Sequence, residues 1–341
     1  MRASGRIAWV VALGLVPIVA ATTSQAAVYR RDKTRARVAA HYVVSQQASN
    51  GSITGFSQIG STSDAIVALV AAKRGRGAIR DALGYLRRHV ADIDTVGEKA
   101  KVIQALVAAG KSPRDFKHHN FVKGIKKQEL DGGHYGQDTQ VFDQADAMIA
   151  LLAAGDTPSA AAKRWLEDAQ CRDGGWQFDK PSSKRDDRHC STGGSGDFTT
   201  SDTNTTSLAS QALGSSDQGL KASPFRFFAR ARDPKKHGWG YAKGYVTDTN
   251  STALVIQAYA AAGRVLPSGA KKALRKIQYP LCKQYGAFPF DWQDDDHNGT
   301  YRRSGPDVGA TIQGILGLLE QPYPVPAANV TRSAHVSFAA C

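Results

Sequence analysis

The sequence predicts an all-α fold, an α6/α6 toroid in which six helical hairpins form two concentric rings. Three observations carry that expectation. Ala-rich segments of helical rhythm alternate with segments rich in Lys, Arg and aromatics. Each Ala-rich segment opens near a Ser, Thr, Asp or Glu, the residue types that cap helices or favour their first turn. A short signature, a glutamine followed by glycine and an aromatic, recurs where the charged segments end. Small residues suit inner helices that must approach closely, and charged amphipathic helices suit a half-wet outer ring. An open solenoid is the alternative. Six hairpins are few for one, and the irregular repeat lengths suit a closed ring with loop insertions better.

The elements follow in order. Arg2 and Arg6, an apolar run from Ile7 to Ala21 broken by Pro17, and the small residues of Ser24-Gln25-Ala26 read as a secretory signal peptide over residues 1–27. The run is shorter than the ~20 residues a membrane span needs, and no later segment reads as a span. The toroid is assigned to 28–323 and a C-terminal tail to 324–341. Outer helices are expected over 34–48, 78–91, 116–129, 159–171, 222–232 and 269–283. Inner helices are expected to start near Ser63, Glu98, Asp143, Asp202, Asp248 and Asp307. Three of these end on Ala-Ala-Gly, at Gly110, Gly155 and Gly263, which marks a helix C-terminus.

Trp165-Leu166, Gln170 and Gly174-Gly175-Trp176 form the clearest copy of the signature. Tyr42-Val43, Gln47 and Gly51-Ser52-Ile53 repeat its spacing. Ile125 to Gln128 with Gly132-Gly133-His134-Tyr135 is looser. Arg232 replaces the glutamine ahead of Gly238-Trp239-Gly240-Tyr241, and Gln278 precedes Gly286-Ala287-Phe288 at a longer gap. An amide both donates and accepts. The glutamine is therefore expected to tie carbonyls of its own outer helix to free amides of a neighbouring inner helix. The glycines allow a positive-φ exit, and the aromatic folds back as a seal.

These residues resemble the QW repeat of the squalene-hopene cyclase and protein-prenyltransferase superfamily; "RWLEDAQCRDGGW" fits it closely and "YVVSQQASNGSI" fits its spacing. The alternation covers residues 34–320. The resemblance implies the toroid and does not by itself carry a chemistry. The Asp-x-Asp-Asp acid of class II terpene cyclases is missing: "DIDT" from Asp92 and "DDDH" from Asp294 both fall short. The zinc-binding Asp-x-Cys of prenyltransferases is missing too, because Ala169, Arg188, Pro280 and Ala339 stand two residues before the cysteines. The Cys-Gly-Glu-Gln thioester run is absent. The superfamily's cobalamin carriers usually add a β domain after the toroid, for which too few residues follow Gln321; a corrinoid nevertheless stays open as a ligand. The expectation is a secreted, single-barrel binding module without catalysis. The alternatives are an isoprenoid cyclase-like enzyme lacking the usual acid, or an enzyme acting on an anionic polysaccharide.

The formal charge of +14 becomes +12 without Arg2 and Arg6. The basic residues are scattered over many helices, so they read mainly as solvated faces; an anionic cell-envelope polymer is the sharper partner. No motif for nucleic acid is present, and a monomer is expected. Of four cysteines, Cys171 with Cys190 and Cys282 with Cys341 is the first pairing to expect in an exported chain. No spacing suits zinc. Inner-helix N-termini should converge at one end. Asp64, Asp143, Asp146, Asp202, Asp248 and Asp307 would ring a mouth there, with Trp176, Trp239 and Tyr241 around a small apolar or ring-shaped ligand. Asp294, Asp296 and Asn298 match the first half of a calcium loop, although its twelfth position is Gly305 rather than Glu.

Overall fold

The computed structural model describes residues 19–138, 140–181, 190, 200–214, 219–293 and 302–331, with only the main chain at 19–28, 292, 293 and 302. Among the described residues, twelve α-helices alternate between two rings. The Ala-rich stretches form α2 (Gln58–Ala72), α4 (Val96–Ala108), α6 (Val141–Ala153), α8 (Thr203–Leu213), α10 (Thr249–Ala261) and α12 (Val308–Leu318). Each packs on the next, and α12 returns to pack on α2, which closes an inner ring. The charged stretches form α1 (Val19–Ser45), α3 (Arg76–Arg88), α5 (Phe121–Lys126), α7 (Ala160–Asp168), α9 (Pro224–Ala231) and α11 (Ala270–Ile277). Every outer helix leans on the inner helix before it: α3 on α2, α5 on α4, and so on round to α1 on α12. The fold is therefore the all-α toroid. Among the described residues, no helix is long and apolar enough to cross a membrane.

Caps explain where the inner helices start. Asp202, Asp248 and Asp307 each hold an extended backbone, and each carboxylate accepts the N–H three residues on, at 2.7, 2.7 and 2.6 Å. Ser57 and Thr95 do the same for α2 and α4. Thus α2 starts ahead of the expected Ser63, and Asp64 lies inside it. The three Ala-Ala-Gly ends behave as expected: Gly110, Gly155 and Gly263 take positive φ, and the next N–H reaches back to Leu106, Leu151 and Tyr259. The outer helix expected over 116–129 shortens to α5, because Lys117 and His118 adopt positive φ in a tight turn joining Phe116 to His119.

The glutamine does tie the hairpins, but to a different neighbour. Gln170 Nε2 donates to Gly174 O (3.1 Å) and Ala222 O (2.6 Å), and its Oε1 accepts from the N–H groups of Lys221 (2.6 Å) and Ala222 (3.2 Å). Residues 221 and 222 lead into the next outer helix, not an inner one. Gln47 likewise donates to Ala78 O in α3 (2.9 Å). Arg232 reaches Ser268 O ahead of α11. Gln278 Oε1 accepts from Arg35 of α1 (2.9 Å), closing the outer ring. These side chains stand at the C-terminal end of one outer helix, where the start of the next outer helix lies within reach. Gly174 has φ of 97°, and a Cβ there would lie 2.6 Å from Ser223 O, so chain reversal and close approach both demand glycine. In the third hairpin Glu129, not Gln128, holds the equivalent place. The amide comes instead from Gln144 of α6, which accepts from Tyr135 N (2.9 Å) and donates to Ala162 O (3.2 Å).

The aromatics seal as expected. Trp176 and Trp239 are wholly buried, with indole N–H groups donated to Leu166 O and Phe228 O, both at 2.7 Å.

Candidate functional site

The candidate site is the axis of the inner ring. Side chains three, four or seven residues apart share one helix face. On α4 that face carries Gly97, Lys101 and Gln104; on α6, Asp143 and Asp146; on α8, Asn204 and Gln211; on α10, Asn250 and Gln257; on α12, Gly309 and Gln313. Contacts show that these faces meet. Lys101 Nζ lies 2.9 and 3.1 Å from the Asp64 carboxylate oxygens and 3.7 Å from Asp146 Oδ2, so one ammonium joins three consecutive inner helices. Gln257 Nε2 donates to Gln313 Oε1 (3.3 Å). Tyr323, from the segment after α12, donates its N–H to Gln211 Oε1 (2.9 Å), and its hydroxyl accepts from Gln313 Nε2 (3.3 Å). A residue that touches both α8 and α12, which are not neighbours in the ring, sits on the axis. The axis is thus floored by Tyr323 and four glutamines, with the Asp-Lys-Asp group above them.

Electrostatics follow from this crowding. Burial pushes the Asp146 carboxyl up to about 6, with Asp64 and Asp143 adding to the rise and Lys101 opposing it. Burial also raises Asp143, again against Lys101. Burial alone would lower the Lys101 ammonium, but Asp64 and Asp146 outweigh it and hold the proton firmly. Three carboxyl groups share one cation, so the axis is acidic overall. Six helix N-termini supply the partial positive charge that tolerates this excess.

The other expected residues divide by role. Asp202 and Asp248 spend their carboxylates as caps in the buried seam between hairpins; burial raises both to about 7 despite the hydrogen bonds to Thr205 and Ser251. Asp307 is a cap as well. Trp176 and Trp239 do not line a mouth, because sealing the hairpins consumes both ring faces and the indole N–H. Tyr241 does stand at the N-terminal end: its carbonyl accepts from Thr203 N (2.8 Å). Burial, then the adjacent Asp202, raises its hydroxyl. The rim also exposes Phe56, Tyr245 and Phe290. Asp294, Asp296 and Asn298 lie outside the described residues. Cys171 and Cys190 form a disulfide with Cα atoms 5.5 Å apart; Cys282 is also disulfide-bonded, and its expected partner Cys341 lies outside the described residues.

Sequence reasoning missed Lys101, Gln104, Gln211, Gln257, Gln313 and Tyr323. It also missed a threonine in the first turn of inner helices. Thr62, Thr206, Thr252 and Thr311 each accept the N–H of the sealing residue, at 2.8 to 3.0 Å. The spacing Asp-x-x-x-Thr at 202, 248 and 307 carried that signal.

No family model matches the chain, and no curated protein matches it in sequence. Solved structures do match in shape. A variant of the type II terpene cyclase MstE from Scytonema, with merosterolic acid A bound, is similar at a TM-score of 0.58 and 13% identity, over 86% of this chain and 98% of its own. A glycosidase in complex with glucose is similar at 0.54 and 14%, over 86% and 97%. UGL with dGlcA-Glc-Rha-Glc is similar at 0.57 and 11%, over 85% and 96%. These likenesses show the α/α-toroid fold.

Proposed function

We propose that the chain is an exported toroid of the QW-repeat type that binds a neutral, polyhydroxylated ligand of saccharide class at the inner-helix N-terminal mouth. The observation that carries this reading is the polar axis: Asp64, Asp143 and Asp146 around Lys101, with a floor of glutamines and Tyr323. Such a lining offers acceptors to hydroxyl groups at Asp146 Oδ2 and Gln257 Oε1, which are buried without a hydrogen bond, and suits an isoprenoid poorly, since an apolar chain would leave those two oxygens unpaired. Excess carboxylate at the axis also disfavours a polyanion there. Exposed Phe56, Tyr245 and Phe290 on the rim supply stacking faces. The likeness to a glycosidase structure holding glucose agrees with this ligand class. The disulfide supports export.

A second reading, cleavage of the bound saccharide, is favoured by one observation: Asp146 is held near 6 beside Asp143, as a proton-transferring pair requires. Calorimetric titration with neutral oligosaccharides tests binding. Asp143→Asn and Asp146→Asn are expected to weaken it, and an absence of binding to any saccharide panel refutes the proposal. Turnover with a pH profile that bends near 6, lost in Asp146→Asn, separates enzyme from module.

A further inference from the structure

A second concavity lies at the opposite end of the ring, where the inner helices finish. It has a volume of about 920 Å³ and runs between α3 and the C-terminal segment 328–330. Arg76, Arg80, Leu83 and Arg87 are spaced four, three and four apart, so they form one stripe along α3. Lys111 adds a fourth cation from the turn after α4, and Asp115 is the one carboxylate in the lining. Between the charges lies an aliphatic floor of Val70, Ile79, Leu83 and Val330. The far wall is fixed: Arg74 Nη1 donates to Thr331 Oγ1 (2.9 Å), and that hydroxyl donates to Lys73 O (3.1 Å).

We propose that this groove binds a single-chain anionic amphiphile, an acyl carboxylate, with its headgroup on Arg80 and Arg87 and its hydrocarbon along Leu83 and Val330. The guanidinium fork matches a carboxylate in shape and charge. Competition inside the protein is weak: Arg80 meets Asp81 at 3.0 Å, but both are well exposed, and Arg87 lies over the Phe116 ring at 5.8 Å without a carboxylate partner there. An aliphatic floor is wasted on a polysaccharide, whose rings want open aromatic faces; Phe116 is buried under Arg87. A bilayer surface does not fit either, because segment 328–330 walls the groove. The volume is at the upper end for a small-molecule pocket. This inference does not depend on the axial site.

The test uses the full mature chain and cis-parinarate fluorescence, with dodecanoate, dodecanol and acetate as competitors. Saturable binding of one cis-parinarate per chain, displaced by dodecanoate, is expected. The Arg80→Gln/Arg87→Gln pair should weaken it about tenfold, while Arg80→Lys/Arg87→Lys, which keeps the charge and loses the fork, should fall between that pair and the parent. Val330→Asp, which puts a carboxylate on the floor and leaves the arginines in place, should abolish it. Dodecanol competing as well as dodecanoate, acetate alone displacing the probe, an unchanged glutamine pair, or no saturable binding would each overturn the proposal.

Discussion

Removing the Asp32 carboxylate should open the seam at which the outer ring closes. Asp32 sits on α1 with no exposed surface, and it meets Lys271 at 2.8 Å and Arg275 at 3.0 Å, both near or on α11. These cations are themselves only 15% and 18% exposed. Asp32→Ala therefore leaves two nearly buried cations facing an apolar gap. Breaking a buried pair in this way costs about 3–5 kcal/mol. Lys271 keeps a second partner in Glu320, so the lower end, about 3 kcal/mol, is expected. For a chain of this size that lowers Tm by about 4–5 °C. The assay is thermal and urea unfolding followed by fluorescence of the sealed Trp176 and Trp239. Asp32→Asn should lose less than Asp32→Ala, because its amide oxygen still accepts one hydrogen bond. A Tm within about 1 °C of the parent for Asp32→Ala would refute the reasoning, since the first and last outer helices would then be held by something other than this ion group.

Gln170→Leu removes four hydrogen bonds to main-chain groups in a largely buried seam and should cost about 3 kcal/mol in the same denaturation assay, whereas the exposed Gln46→Ala should stay within about 0.5 kcal/mol. Opening the Cys171–Cys190 bridge by Cys171→Ser/Cys190→Ser should cost about 3 kcal/mol on the chain-entropy account for its separation of 19 residues, read as a lower urea midpoint. Asp146 near 6 and Asp202 and Asp248 near 7 lie above the ordinary aspartate value of about 3.9, so the folded chain binds extra protons in that window. The stability these groups give is fully present below about pH 4 and is lost as pH rises through 6 and 7. Unfolding at pH 5 and pH 8 should show the lower stability at pH 8, with a smaller difference in Asp202→Asn, which keeps the cap; equal values at the two pH values would contradict the shift.

Local chemistry was legible in the sequence where one residue acts on its own neighbourhood. The caps at Asp202, Asp248 and Asp307 and the Ala-Ala-Gly ends need only the nearest turn, and they fall where composition places them. The stitch was half legible. Its donor and acceptor atoms follow from glutamine chemistry, but its partner depends on which helix lies across the seam, a matter of ring geometry. Gln144 makes the same point, since it replaces a missing amide from the opposite side of the hairpin. The axis was the least legible part. Asp64 at the seventh position of α2 and Lys101 on α4 are 37 residues apart, and only ring closure brings them to 2.9 Å. Asp64, Asp143 and Asp146 were expected there for their acidity; the lysine that organises them gave no signal.

The axial ions are not what holds the toroid together, and that difference can be measured. A core of Ala, Val, Ile and Leu already lines the helix–helix contacts on both sides of the inner ring. Within it Lys101 and Asp146 give up most of their hydration, and the contact between them is only 3.7 Å. Well-packed apolar residues in place of a buried ion group are often neutral or stabilising by about 1–4 kcal/mol. Asp64→Leu/Lys101→Met/Asp146→Leu should therefore fold and melt at or above the parent temperature. Removing Lys101 alone should be strongly destabilising, because three carboxyl groups then face each other. If the ions serve a ligand, the stable triple variant binds no saccharide. Should it instead unfold well below the parent, the ion group is architecture, and the strongest physical reason for placing a site on the axis disappears.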